Sequence, residues 1–214
     1  MKLVIFDLDG TLLDTIDDLG AAANHVLERH GLPLHGMDEY RLMVGRGMRN
    51  LIRMALPDGT SEDTVSVMLS EFLEWYQEHL DIATRPYPGV QELVSRLNRA
   101  GFRLAVASNK IQPGTERLVS KFFPCIPFVA VMGNCSAFPL KPDPALVRYI
   151  MDRAGVCESD TLMVGDSGID IETAHNAGIP VIAVSWGFRP RVELAAADSI
   201  ADSVDELGRT LLEA

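Results

Sequence analysis

Four apolar residues, Leu3, Val4, Ile5 and Phe6, follow Lys2 and stop abruptly at Asp-Leu-Asp-Gly-Thr. A short run rich in β-branched residues and apolar on both faces reads as a strand buried in a parallel sheet. From Thr15 the period changes to that of a helix. Ile16, Leu19, Ala23, Val26 and Leu27 keep one face apolar, Thr15 and Asp18 have the spacing of a capping box, and Gly31 stands where a C-terminal cap belongs. A second helix is expected to open near Gly45 and use Met48, Leu51, Ile52 and Ala55, stopping at Pro57 and Gly59. A third, begun by Ser61, places Val65, Met68, Leu69, Phe72, Leu73 and Tyr76 at three- and four-residue steps.

After Pro86 and Pro88 strands and helices alternate, the pattern of a parallel α/β sheet. Val90, Leu93, Val94 and Leu97 predict a helix closed by Gly101, and Phe102 to Ala107 a strand ending at Ser108. A helix from about Gly114 to Phe123, a weaker strand at Phe128 to Val131 and a helix from Pro144 to Ala154 follow. Thr161 to Val164 is the next strand, ending at Gly165-Asp166, with a helix running to Ala177 and stopping at Gly178. Val181 to Val184 closes the set of strands, and Val204 to Leu212 reads as a terminal helix. The expectation is a doubly wound, Rossmann-like parallel sheet of five strands with an all-helical cap inserted after the first. Residues 1–13 and 85–214 would form the α/β core and residues 14–84 the cap.

The 214 residues fit one such fold with an insertion, and 47% apolar with 23% charged residues is ordinary for a globular chain. Nineteen basic against thirty acidic residues give a net charge of −11, which disfavours nucleic acid and anionic membrane as partners. Cys125, Cys135 and Cys157 are odd in number, without metal-like spacing, and read as reduced thiols of a cytoplasmic protein. The apolar stretch at Leu3–Phe6 is too short for a signal peptide, and nothing approaches the roughly 20 apolar residues of a membrane span.

In a doubly wound sheet ligands bind beyond the carboxyl ends of the strands. Three of those ends carry Asp7, Ser108 and Asp166. Asp7 and Asp9, two apart on an extended chain, point to one side and repel unless a cation, water or a shared proton intervenes. A hard divalent ion such as Mg²⁺ fits one or two protein carboxylates, and Asp166 and Asp170 complete a set of four acids. Ser108 and Asn109 are suited either to an anionic oxygen or to an ordinary helix N-cap. Lys141 is either a surface lysine or a point charge for a phosphoryl group.

The ordered set Phe6-Asp7-Leu8-Asp9-Gly10-Thr11-Leu12, Ala107-Ser108-Asn109-Lys110, Lys141-Pro142-Asp143-Pro144 and Val164-Gly165-Asp166-Ser167-Gly168-Ile169-Asp170 resembles the haloacid dehalogenase superfamily of phosphohydrolases. The resemblance implies that Asp7 attacks phosphorus, forming an aspartyl-phosphate, and that Asp9 serves as acid and then base. It further implies that Ser108 and Lys141 hold phosphate oxygens with help from Asn109. Asp7, the main-chain carbonyl of Asp9, and Asp166 would bind Mg²⁺, with Asp170 as a ligand or close by. Asp9 argues for phosphoryl chemistry over dehalogenation, since a halide leaves without a proton. A phosphonatase would need a cap lysine, and residues 14–84 contain none.

The cap holds 13 acids and five bases, yet Arg41, Arg46, Arg49 and Arg53 cluster between Tyr40 and Pro57 without an acid. Val44-Gly45-Arg46-Gly47 places two glycines and a cation where a helix begins, a local anion site. Gly45 and Arg46 are therefore expected to touch the organic end of the substrate, while Arg49 and Arg53 read as a solvated face. With Gly31-Leu32-Pro33, Leu51 and Ser185-Trp186-Gly187-Phe188, this turn resembles the phosphoglycolate phosphatase-like subgroup. The implied function is Mg²⁺-dependent hydrolysis of a small phosphorylated metabolite, 2-phosphoglycolate first, by a monomer or homodimer. Sugar or nucleotide phosphatases, pyrophosphatases, β-phosphoglucomutase-like transferases and a non-catalytic phosphate sensor are the alternatives.

Overall fold

The buried run Leu3–Phe6 is β1, and it lies inside the sheet with a parallel neighbour on each side. The computed structural model describes residues 2–213; Met1 and Ala214, the outer ends of the expected core segments, lie outside the described residues. A two-residue strand β2 (Leu13–Asp14) leads into four helices, α1 (Ile16–Arg29), α2 (Met37–Met43), α3 (Met48–Ala55) and α4 (Glu62–His79). The chain returns through β3 (Arg85–Pro86), which pairs antiparallel with β2. The helical insert thus leaves and rejoins the core at one point. After it come α5 (Val90–Arg99), β4 (Arg103–Ile111), α6 (Gln112–Phe122), β5 (Ala130–Asn134) and α7 (Ala145–Ala154). The last elements are β6 (Thr161–Gly165), α8 (Gly168–Ala177), β7 (Val181–Val184), β8 (Ser199–Ala201) and α9 (Val204–Glu213).

The sheet has six strands, not five, in the order β5-β4-β1-β6-β7-β8, and every pair in it is parallel. The additional strand, β8, is a three-residue edge whose first residue is exposed and whose last is buried. It has too little apolar pattern to announce itself. β4 runs three residues past the expected end at Ser108, and β5 begins two residues later than expected. The apolar pattern does not predict α2; the N–H of Gly36, the residue before it, donates to Glu39 Oε2 at 2.8 Å. The Thr15–Asp18 capping box does not form. Asp18 instead accepts from the backbone N–H groups of Ala83 and Thr84 at 2.8–3.1 Å, tying the start of α1 to the end of the insert.

β1 shows why both faces of a parallel sheet must be apolar. Val4 and Phe6 enter one core, continuous with buried Leu19, Tyr40, Phe72 and Tyr76 of the insert, and Leu3 and Ile5 enter another beneath α7 and α8. Because β4, β1 and β6 are adjacent and parallel, their carboxyl ends open at one place. There the connections turn polar.

Candidate active site

Asp7 and Asp9 follow β1, Ser108, Asn109 and Lys110 lie in the last turn-ward part of β4, and Asp166 follows β6. With Lys141, Asp170 and the Val44–Gly45–Gly47 turn of the insert they line one cleft between the sheet and the helices. Carboxylate oxygens of Asp7, Asp166 and Asp170 lie within 4.8 Å of one another. Asp166 and Asp170 are almost fully buried, and Asp7 is 9% exposed.

Each carboxylate is held differently. Asp170 Oδ2 accepts from Ser167 Oγ at 2.6 Å and Ser167 N at 3.2 Å, so it caps α8, while Oδ1 accepts from Lys141 Nζ at 2.6 Å. Asp166 Oδ2 accepts from Phe188 N at 2.7 Å and Oδ1 from Thr11 Oγ1 at 3.4 Å. Asp166 fits only because its neighbours lack side chains. A Cβ at Gly187 or at Gly10, whose φ is +85°, would collide with its carboxylate. Asp7 Oδ1 stands 2.9 Å from Lys141 Nζ, an ion contact without hydrogen-bond alignment, and has no donor of its own.

These acids pay for their crowding. Burial pushes the Asp7 carboxyl up to about 7, with Asp170 and Asp9 adding to it against the pull of Lys141. Asp166 is raised well above its usual range by burial, then by Asp170 and Asp7. Lys141, pulled down by burial and pushed up more strongly by Asp170 and Asp7, stays charged. Three converging carboxylates, one with an unpartnered buried oxygen, are an all-oxygen donor set with excess negative charge. That set fits a hard divalent cation such as Mg²⁺.

The crowding predicts a pH dependence. Between the ordinary value of 3.8 and about 7 the folded chain keeps a proton on Asp7 that the unfolded chain has released, so unfolding free energy falls as pH rises. In chelator, melting temperature is expected to drop from pH 5 to 7.5, and Mg²⁺ to flatten the fall. A metal-free profile that rises over that window would contradict the raised carboxyls.

Asn109 does more than line the cleft. Its Nδ2 donates to Gly45 O at 2.9 Å and Lys141 O at 3.0 Å, and its Oδ1 accepts from Lys141 N at 2.8 Å. It bolts the insert turn to the Lys141 loop, with both amide hydrogens committed. Ser108 Oγ, 2% exposed, accepts from Lys110 N at 3.2 Å. Arg46 is not brought into the cleft; it is exposed, while Gly45 and Gly47 on either side line it. Arg49 and Arg53 both pair with Glu62 on the surface.

The sequence reading missed three contributors. Arg189, half-buried, lines the cleft and donates to Val44 O at 2.6 Å. Lys110 is wholly buried against Asp9, and Tyr76 of α4 meets Lys110. Lys110 carries no apolar signal, because the polar run Ser108–Lys110 interrupts the hydrophobic pattern of β4. Arg189 had little more than its place after Phe188.

A family model described as haloacid dehalogenase-like hydrolase matches residues 4–184. The chain belongs to the haloacid dehalogenase-like hydrolases. Among curated relatives, the phosphoglycolate phosphatase of Mesorhizobium japonicum is 36% identical over 194 residues, covering 88% of this chain and 85% of that protein. That of Vibrio parahaemolyticus is 35% identical and covers 97% and 94%. The crystal structure of a predicted phosphoglycolate phosphatase from Haemophilus somnus superposes with a TM-score of 0.87 at 29% identity, covering 99% and 96%. A predicted phosphatase from Clostridium acetobutylicum does so at 0.89 and 26% identity, covering 100% and 99%. With these relatives, this haloacid dehalogenase-like hydrolase is an enzyme of the phosphatase kind. No helix among the described residues is long and apolar enough to cross a membrane.

Proposed function

We propose that the chain is a Mg²⁺-dependent phosphomonoesterase that works through an aspartyl-phosphate, with 2-phosphoglycolate as its first candidate substrate. The observation that carries the reading is Asp7: a buried carboxylate oxygen without a donor, 2.9 Å from the Lys141 ammonium. A nucleophile needs such an unengaged lone pair, and a phosphoryl group needs such a cation beside it. Asp7 attacks phosphorus, its Oδ–P bond forms as the ester P–O bond breaks, and Asp9 gives the departing oxygen its proton. Water then attacks the same phosphorus, gives a proton to Asp9 and restores Asp7. Ser108 and Lys141 hold the non-bridging oxygens. Asp7, the Asp9 carbonyl and Asp166 would hold Mg²⁺, with Asp170 locking Lys141; the ion supplies positive charge against the phosphate. Residues 14–84 act as the cap, closing the cleft through Asn109 and Arg189.

The relatives' name favours a carboxylated substrate, and Arg189 is the cation placed to meet it. A guanidinium has five donors, so its single bond to Val44 O does not exhaust it. Turnover of p-nitrophenyl phosphate should require Mg²⁺ and stop with EDTA, and metal-independent turnover would sink the mechanism. In a panel of phosphorylated metabolites ranked by kcat/KM, 2-phosphoglycolate should lead. Arg189→Ala is expected to raise KM for it about tenfold, roughly the worth of one charged hydrogen bond, with a smaller effect on p-nitrophenyl phosphate. Arg46→Ala should change neither. If Arg46→Ala and Arg189→Ala are equally costly, the contact is not the one assigned.

A further inference from the structure

Lys110 lies at the heart of the site, and the chemistry above does not use it. Its side chain is 0% exposed. An ammonium has three N–H donors, and each of these meets an acceptor: Asp9 Oδ1 at 3.0 Å, Asp9 Oδ2 at 3.3 Å and Tyr76 Oη at 2.5 Å. Tyr76 comes from α4 of the insert and is fully buried, with its ring centroid 4.8 Å from the same nitrogen. A core carboxylate, a core lysine and an insert hydroxyl therefore form one closed chain of contacts.

We propose that Lys110 is a positioning residue for Asp9 and that Tyr76 completes it, so the group that exchanges protons with the substrate is aimed by a contact from the helical insert. The inference rests on the reading of Asp9 as that group. An aspartate carboxylate turns readily about its last torsion, whose energy wells are broad. One ammonium touching both oxygens fixes its plane. The grip is uneven, tighter on Oδ1 than on Oδ2. Lysine is itself a flexible four-carbon stem, and its aim depends on the third donor. Without the Tyr76 hydroxyl that donor is left unsatisfied in a buried site, a cost large enough to turn the ammonium and carry Asp9 with it.

The test compares leaving groups. p-Nitrophenolate departs without a proton, whereas phenolate, of nearly the same size, needs one, and kcat/KM reports the steps through departure. Asp9→Asn sets the reference, losing far more with phenyl phosphate than with p-nitrophenyl phosphate. Tyr76→Phe is expected to lower kcat/KM about tenfold for phenyl phosphate, a part of the 10²–10⁴ that general acid catalysis supplies, and no more than about twofold for p-nitrophenyl phosphate. Lys110→Met should follow the same pattern more strongly; if it does not fold, Tyr76→Phe alone decides. Equal losses on both esters, or none, in a folded Tyr76→Phe enzyme overturn the inference while Asp9→Asn still discriminates. If Asp9→Asn itself does not discriminate, the role of Asp9 falls and the inference with it.

Discussion

Asp7→Asn is expected to lower kcat by at least about 10³-fold, the scale on which loss of a covalent nucleophile is felt. The substitution keeps the shape of the side chain and removes its attacking oxygen. Rapid acid quench with labelled substrate should trap phosphoryl label on the unsubstituted enzyme and none on the variant. The same change should make the metal-free protein more stable. It takes one acid out of a site where burial, and after it the neighbouring carboxylates, push Asp7 and Asp166 upward. An Asp7→Asn enzyme with full turnover would end the covalent mechanism; one with no turnover but a lowered melting temperature would mean that Asp7 also holds the fold.

Lys141→Met is expected to damage both stability and catalysis. The lysine is 2% exposed and sits between Asp7 at 2.9 Å and Asp170 at 2.6 Å. Removing one partner of a buried ion pair leaves the other charge uncompensated, at a cost of about 3–5 kcal/mol, or on the order of 10 °C in melting temperature for a chain of this size. Met fills the space of the lysine stem, so the loss reports charge more than packing. Turnover should fall with it, because the phosphoryl oxygens lose their cation. Mg²⁺ should recover part of the stability and little of the rate. A Lys141→Met protein that melts with the unsubstituted one would show that the three carboxylates do not depend on this ammonium.

The parts of the site that were legible share one cause. Asp7, Ser108 and Asp166 each end or follow a run of apolar residues, so the break in hydrophobicity marks the position, and the sheet topology then brings the breaks together. Lys141 and Asp170 were visible through their neighbours in the motif. Lys110 is hidden for the opposite reason: β4 continues through polar Ser108, Asn109 and Lys110, where a hydrophobic pattern stops being informative although the backbone is still in the sheet. The spacing puts Tyr76 on a helix face, but spacing says nothing of what its hydroxyl meets. α2 and β8 escaped because seven and three residues are too few to show a period. Arg46 illustrates the converse limit. A glycine-flanked cation at a turn reads as a binding residue, yet the backbone of Gly45 and Gly47 faces the cleft and the arginine side chain faces water.

The position of β1 has a consequence for biosynthesis. Leu3 pairs with Arg103 on one side and Thr161 on the other. On the ribosome, at about 5–20 residues per second, β1 therefore waits several seconds for its first neighbour and longer for its second. Throughout that interval a strand of four apolar residues is without a sheet. The helical insert, whose contacts are mostly within itself, is complete about 20 residues, or roughly one to four seconds, before β4 begins, and its apolar residues belong to the same core as Val4 and Phe6 in the finished protein. Nascent chains arrested between residues 85 and 100 should need chaperone most, and those released beyond β6 should not.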